Sequence, residues 1–408
     1  MTGVRDAVAV AHRREWARVL AATVRVTRDL DLAEECVQDA YAAALDSWAR
    51  DGVPDRPAVW LTTAARHNAL DALRRAATLR AKLPLLVEPA PDGPVADDPL
   101  RLVFLCCHPA LSPEAQVALT LRLVCGVPTP DVAAAFLVPP ATMAARITRA
   151  KKKIAAARIP FRMPAPAELP ERLDAVLTTI HLLFTTGHTA PSGESLTRVS
   201  CAERALELAR LLRELVPDSR EVRGLLALLL AGHARRATRT DASGRLLLLS
   251  EQDRSRWDRG ALAEADELVV SALRGGPPGR FALQAAIAMV HASAPSYSET
   301  DWPQILVLYD ELAKVWPSPV VALNRTVAVA MVDGPAQALA EVTELGDDRR
   351  LSGYRYLPAI KADLLRRLGR FPEAAGCYAE ALRLTGNEAE RAFLADRLAE
   401  MRARDAPG

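Results

Sequence analysis

Apolar residues in this chain recur at three- and four-residue spacing almost from end to end, and alternating β-branched runs are missing. Ala, Leu and Arg dominate, and such residues keep most of their freedom in a helix. The pattern predicts an all-α protein. In the first block Leu32, Val37, Ala40, Tyr41, Ala44 and Trp48 form the apolar set, leaving Glu35, Asp39 and Asp46 for other faces. Asp51-Gly52-Val53-Pro54 breaks that helix, and Pro57 suits the first turn of the next. This second helix carries Trp60, Leu61, Ala64, Leu70 and Leu73 before Arg74, Arg75, Arg80 and Lys82.

Two proline clusters divide the chain. Residues 84–99 hold five prolines and four acidic residues, the composition of an extended acidic linker. A compact helical block follows from Leu100 to about Ala157, and the prolines of residues 159–170 end it. Beyond them a helical array runs for about 240 residues, with loops at 274–280 and 293–301. Within it Leu368-Gly369-Arg370-Phe371-Pro372-Glu373-Ala374, then Tyr378, Ala381 and Leu382, resembles the second half of a tetratricopeptide repeat. Gly334 lies 35 residues upstream, with Ala338 and Leu339 at similar offsets, close to the roughly 34-residue period of such repeats.

Charge sharpens this picture. The net +2 of the 408 residues conceals +5 over residues 1–163 and −3 over the rest. From Asp29 to Asp51 there are seven acidic residues and one basic; from Pro139 to Met163 there are seven basic and none acidic. A polyanion is attracted to the second stretch and repelled by the first. Six scattered cysteines do not make a disulfide framework and fit a reducing cytoplasm. With no run of 18 apolar residues, and four charges between Met1 and Arg14, neither a membrane span nor a secretory signal is expected.

The sharpest local signal is Val127 to Ala157. Thr129 before Pro130 is the expected cap of a short helix that ends near Phe136-Leu137. A second helix starts near Pro139-Pro140, where Met143, Ile147, Ala150 and Ile154 form a stripe for burial. Thr142, Arg146, Arg149 and Lys153 form a neighbouring basic stripe, the arithmetic of a helix-turn-helix entering a major groove. The alternative is a solvated Arg/Lys face. The second signal, Trp60 to Arg75 (WLTTAARHNALDALRR), gathers flat and hydrogen-bonding groups suited to unstacked single-stranded bases.

Together, segments 32–48, 60–75 and 111–153 resemble regions 2 and 4 of the extracytoplasmic-function sigma factors, which bring RNA polymerase to promoters. The resemblance implies a region 2 domain over 8–80, a linker over 81–100, a region 4 helix-turn-helix over 101–158 and a tetratricopeptide-like α-solenoid over 170–408. It implies that Glu34, Glu35, Gln38 and Asp39 dock on the β′ clamp helices of core polymerase. Trp60, Arg66, His67, Asn68, Asp71, Arg74 and Arg75 would meet the −10 element, and Thr142, Arg146, Arg149, Lys151, Lys152 and Lys153 the −35 element. Two departures stand out: Ala65-Arg66-His67, with Asn68 one place later, replaces the usual Ala-Arg-Asn, and Leu137-Val138-Pro139 replaces Gly-Val-Ser in the turn. The extension, with QDRSRWD (252–258), LYDEL (308–312) and ALNR (322–325), resembles that of one subgroup of the family.

Other chemistry has little support. Cys106-Cys107-His108 lacks a partner pair for a metal, and buried thiols are the expectation there. His181, His188, His233 and His291 read as core or surface residues without a nucleophile or carboxylate at telling spacing. No Walker A, GxSxG or HExxH sequence occurs, so neither an enzyme nor a cofactor is expected. The alternating charges of 252–258 suggest an ion-pair knot between helices or a solvated loop. Expected partners are core polymerase, promoter DNA and a protein or peptide on the extension. The competing readings are a helix-turn-helix regulator with a ligand- or peptide-sensing domain, and a peptide-binding scaffold with an incidental basic helix.

Overall fold

A computed structural model describes residues 2–79, 98–136, 138–165, 167–188, 199–242 and 244–405. Most of the expected linker, and Leu137 in the turn, lie outside the described residues. The first eight helices are α1 (Thr2–Thr27), α2 (Leu30–Asp51), α3 (Pro57–Leu79), α4 (Asp98–Cys106), α5 (Pro113–Leu119), α6 (Thr129–Ala135), α7 (Pro140–Ala156) and α8 (Leu169–His188). Ten more follow: α9 (Val199–Leu215), α10 (Arg220–Ala234), α11 (Arg259–Leu273), α12 (Arg280–Ser293), α13 (Trp302–Val315), α14 (Pro319–Val332), α15 (Pro335–Leu345), α16 (Tyr356–Arg367), α17 (Phe371–Leu384) and α18 (Glu388–Asp405). Among the described residues extended pairing is confined to one bridge, Thr240 to Leu246. The protein is all-α.

The chain forms two compact units, Met1–Leu183 and Phe184–Gly408, so that one ends and the other begins within α8. In the first, α1, α2 and α3 pack mutually. Asp29 starts α2 by accepting from the backbone of Asp31 and Leu32, and Gly52, at φ 85°, stops it. The buried set of α2 includes Val37, Ala40, Tyr41, Ala44 and Trp48, as the spacing predicts. Early α8 belongs to this unit: Arg172 donates to the Phe104 carbonyl, and the Cys107 thiol lies 3.3 Å from the Thr179 hydroxyl. The tetratricopeptide-like extension was expected from residue 170, a position inside that helix.

The second unit is built from consecutive helices that pack mainly on their sequence neighbours, the organisation of a repeat array. Gly334 (φ 97°) turns α14 into α15, and Gly369 (φ 73°) turns α16 into α17. Both backbones are left-handed, which glycine adopts without a Cβ penalty. The residues expected to pack after each turn, Ala338 and Leu339, then Ala374 and Tyr378, lie in one shared core. Asp310 of LYDEL and Arg325 of ALNR pair at 2.7 Å, and Arg325 also reaches Glu341 at 2.9 Å, tying α13, α14 and α15 together.

Candidate nucleic-acid interface

Helix α2 presents the acidic face. Glu35, Gln38 and Asp39 are exposed because Cys36, Val37 and Ala40 take the buried side. Across from them α3 supplies Asn68, Asp71 and Arg75, and with Glu35 and Asp39 these line a cavity of about 290 Å³. Asn68 is half-buried and donates from Nδ2 to the Cys36 carbonyl at 3.1 Å, so its amide ties α3 to α2. Trp60 is half-buried edge-on to Trp48, with ring centroids 5.7 Å apart. His67, Arg74 and Arg75 are exposed, Arg66 is half-buried, and Arg74 pairs with Asp71 at 3.0 Å.

Helices α6 and α7 form the helix-turn-helix. The first starts on Thr129 itself, and the carbonyl of Pro128 accepts from Asp131 and Val132, so Thr129 lies inside the helix rather than capping it. On α7 the stripe of Met143, Ile147, Ala150 and Ile154 is buried, while Thr142, Arg149, Lys152 and Lys153 are exposed. Arg146 is half-buried, its guanidinium 5.7 Å from the Phe136 ring centroid. Pro139 precedes α7 without a side-chain cap, a consequence of the Leu137-Val138-Pro139 turn.

Two of the residues selected by sequence are placed elsewhere. Glu34 is buried, not on the free acidic face, and Lys151 is buried, not on the free basic one. The Lys151 ammonium sits 2.7 Å from Glu34 and 2.8 Å from Asp31, and Arg122 pairs with the other Glu34 oxygen. Burial opposes the charge of Lys151, but the hydrogen bonds it donates to Asp31 and Glu34 outweigh that and raise its pKa. The periodicity conceals this because i and i+3 neighbours set which face a residue occupies, not which other helix meets that face.

Further contacts join the same elements. Residues Thr120–Val124 form a π turn after α5. The Val127 amide bonds back to Leu121, and Pro128 has no amide hydrogen to offer. The Leu123 carbonyl instead accepts from the Trp16 indole of α1 at 3.0 Å. Gly126 (φ 64°) lies against His12 and Trp16, where an added Cβ would come within 3.1–3.2 Å. Arg25 of α1 pairs at 3.3 Å with Asp98, which is fully buried at the start of α4. Trp16 and Arg122, which make these contacts, carry no periodic or motif signal of their own in the sequence.

Comparison with known proteins addresses the same elements. Residues 12–78 match the family model of sigma-70 region 2, and residues 101–154 that of sigma-70, region 4. The probable ECF RNA polymerase sigma factor SigI of Mycobacterium tuberculosis is 27% identical over 166 residues, 38% of this chain and 56% of that protein. The chain belongs to the extracytoplasmic-function branch of the sigma-70 family. As a sigma factor it directs core RNA polymerase to promoter DNA, with α1–α3 as region 2 and α4–α7 as region 4. Residues 172–273 of its extension match a family of unknown function, DUF6596. An uncharacterized protein of Rhizobium meliloti is 41% identical over 417 residues, covering 99% of this chain and 97% of its own. No solved structure matches. Among the described residues no helix of the sigma factor is long and apolar enough to cross a membrane.

The remaining candidates are structural. Cys106 and Cys107 are fully buried thiols, and burial pushes Cys107 up to about 11. The 252–258 segment joins helices, though not as an ion-pair knot. Asp253 and Asp258 cap helical turns, and Arg254 donates to the carbonyls of His291 and Ala294 at 2.6 Å each.

Proposed function

We propose that Glu35, Gln38 and Asp39, with Glu34 once released, form the face that docks on the β′ clamp helices of core polymerase. Trp60, Arg66, His67, Asn68, Asp71, Arg74 and Arg75 serve the −10 element, Trp60 and Asn68 in part by holding α3 in place. Thr142, Arg146 and Arg149 read the −35 element, while Lys152 and Lys153 contact phosphates. The observation that carries this reading is α7, where Met143, Ile147, Ala150 and Ile154 are buried and Thr142, Arg149 and Lys153 face solvent. Lys151 adds a phosphate contact only when its ion pairs with Asp31 and Glu34 break. The role is non-catalytic and is exercised in the cytoplasm, where the polymerase works.

The extension, residues 170–408, sets this activity in cis. Its support is the size and buried core of a second unit that neither promoter reading nor polymerase docking requires. Binding of the full chain with core polymerase to promoter variants tests the −35 assignment. Arg146→Ala should cost about 1–3 kcal/mol and relax specificity at one base pair, whereas Lys153→Ala should weaken every promoter alike. Equal weakening of all promoters by Arg146→Ala would remove that residue from base reading.

A further inference from the structure

The second unit gathers positive charge around the buried Trp257. Arg235 ends α10, Arg239 follows it, Arg254 lies in the 3₁₀ turn Arg254–Arg256, and His291 closes α12. Arg254 and Arg235 both lie over the Trp257 ring, 4.9 and 5.9 Å from its centroid. Trp257 is itself buried and donates to the Thr238 hydroxyl at 2.9 Å, which fixes the ring.

Acidic side chains around the cluster have partners of their own, although Glu390 and Glu299 still favour the charged forms of Arg239 and Arg254. Glu390 holds Arg355 at 3.1 Å and the Tyr356 hydroxyl at 2.8 Å. Asp253 and Asp258 accept from the backbone amides that start their helical turns. Glu299 accepts from Ser296 at 2.6 Å. The Arg235 guanidinium has no acceptor among the described residues. Burial, then the charge of Arg254, lowers its pKa. Burial and Arg235 together push Arg239 down to about 10, and burial with Arg235 and Arg254 pushes His291 down to about 4. Such mutual opposition is costly unless an anion enters the field.

A separate observation concerns hydrogen bonds rather than charge. Arg254 is 9% exposed, and its Nη2 is a buried donor without an acceptor, although its Nη1 caps the carbonyls of His291 and Ala294. The same neighbourhood holds other unpartnered buried atoms: Nδ1 of His291, Nε1 of Trp302 and Oγ1 of Thr300. The His291 and Trp302 rings meet edge-on at 5.1 Å, which ties this set to the arginines. All four atoms can donate, and buried donors without acceptors are rare in folded proteins. Because Arg235, Arg239 and His291 are only half-buried, the cluster reaches solvent.

We infer that this cluster is a binding site for a small oxyanion, the carboxylate or phosphate group of a ligand. Arg235 and Arg254 supply the guanidinium forks, and His291 adds a donor. The site does not depend on the residues assigned above to promoter or polymerase, so it can be tested without transcription.

The test is calorimetric titration and thermal unfolding of the full chain with tripolyphosphate and, separately, citrate, against chloride at matched ionic strength. Saturable binding that raises the unfolding midpoint is expected, with Arg235→Gln weakening it at least tenfold. The exposed Arg402→Gln should leave it unchanged. A preference for tripolyphosphate identifies a phosphate ligand, and a preference for citrate a carboxylate one. Should Arg235→Gln unfold, Arg235→Lys preserves the charge but loses the fork, and a loss of at least threefold is expected. Absence of binding beyond chloride, or binding to Arg235→Gln and Arg235→Lys equal to that of the parent, would overturn the site.

Discussion

Neighbouring lysines on α7 have different fates, and the difference can be measured. Lys151 is 9% exposed and bonded to Glu34 and Asp31, whereas Lys152 and Lys153 face solvent. Removing one partner of a buried ion pair typically costs about 3–5 kcal/mol. Arg122 still faces Glu34, so Lys151→Ala should destabilise the first unit by less, about 2 kcal/mol. Urea unfolding checks this, with Lys152→Ala expected within about 0.5 kcal/mol of the parent. His291 gives a pH signature. Its folded pKa of about 4 lies below the ordinary 6.5, so between these values the unfolded chain takes up a proton that the folded chain excludes. Stability therefore falls as pH falls through that window. Between pH 7 and pH 5 the loss from this group is about 2 kcal/mol, and the His291→Gln chain should lose correspondingly less over the same range. Acid unfolding that is identical in the two chains would show that His291 is not buried neutral.

At the scale of helices, close approach decides what a glycine is for. Gly224 lies where α10 meets α12, and an added Cβ would sit 2.5 Å from the Ala282 backbone nitrogen. Backbone cannot swing aside as a side chain can, so Gly224→Ala should destabilise the second unit by about 1–3 kcal/mol. Gly376, inside α17, meets nothing within 4 Å. There the same change should stabilise by about 0.5–1 kcal/mol, because alanine loses less freedom in a helix. Denaturant midpoints of the two variants should move in opposite directions. The crossing is reinforced by Glu221 of α10, whose carboxylate accepts from the Phe281 and Ala282 amides at the start of α12.

For the whole molecule, the division within α8 determines where the chain can be cut. Truncation after Arg162 discards the Arg172 and Thr179 contacts to Phe104 and Cys107, together with the buried Val176, Leu177 and Ile180. Truncation after His188 keeps them. The shorter protein should unfold at a lower temperature than the longer one, measured by calorimetry. The longer truncation is therefore the one in which to test cis regulation, with transcription at matched abundance. A strong change in promoter output relative to the full chain is expected, and unchanged output would make the extension a passive appendage. In the same unit the surfaces proposed to read the promoter and to face the polymerase are joined to each other through Glu34, Lys151 and Arg122.

Helix identity and the buried side of each helix were legible in the sequence. Val37, Tyr41 and Trp48 on α2, and Met143, Ile147 and Ile154 on α7, follow from a 3.6-residue period that each helix carries by itself. Gly334 and Gly369 announced their turns because only a residue without a Cβ adopts those backbones freely. Partners between helices were not legible, since no local period records what an outward residue will meet. Glu34 and Lys151 lie 117 positions apart, and both read as solvent-facing charges until the fold brings them within 2.7 Å. Asn68 read as a base-contacting amide, yet it bonds to the carbonyl of Cys36, 32 positions away. In residues 252–258 the charges were visible, but the carbonyl ends of α12 that receive Arg254 come from 37 and 40 positions further on. Tertiary structure alone decided those pairings, because a buried charge or donor takes whichever partner packing delivers.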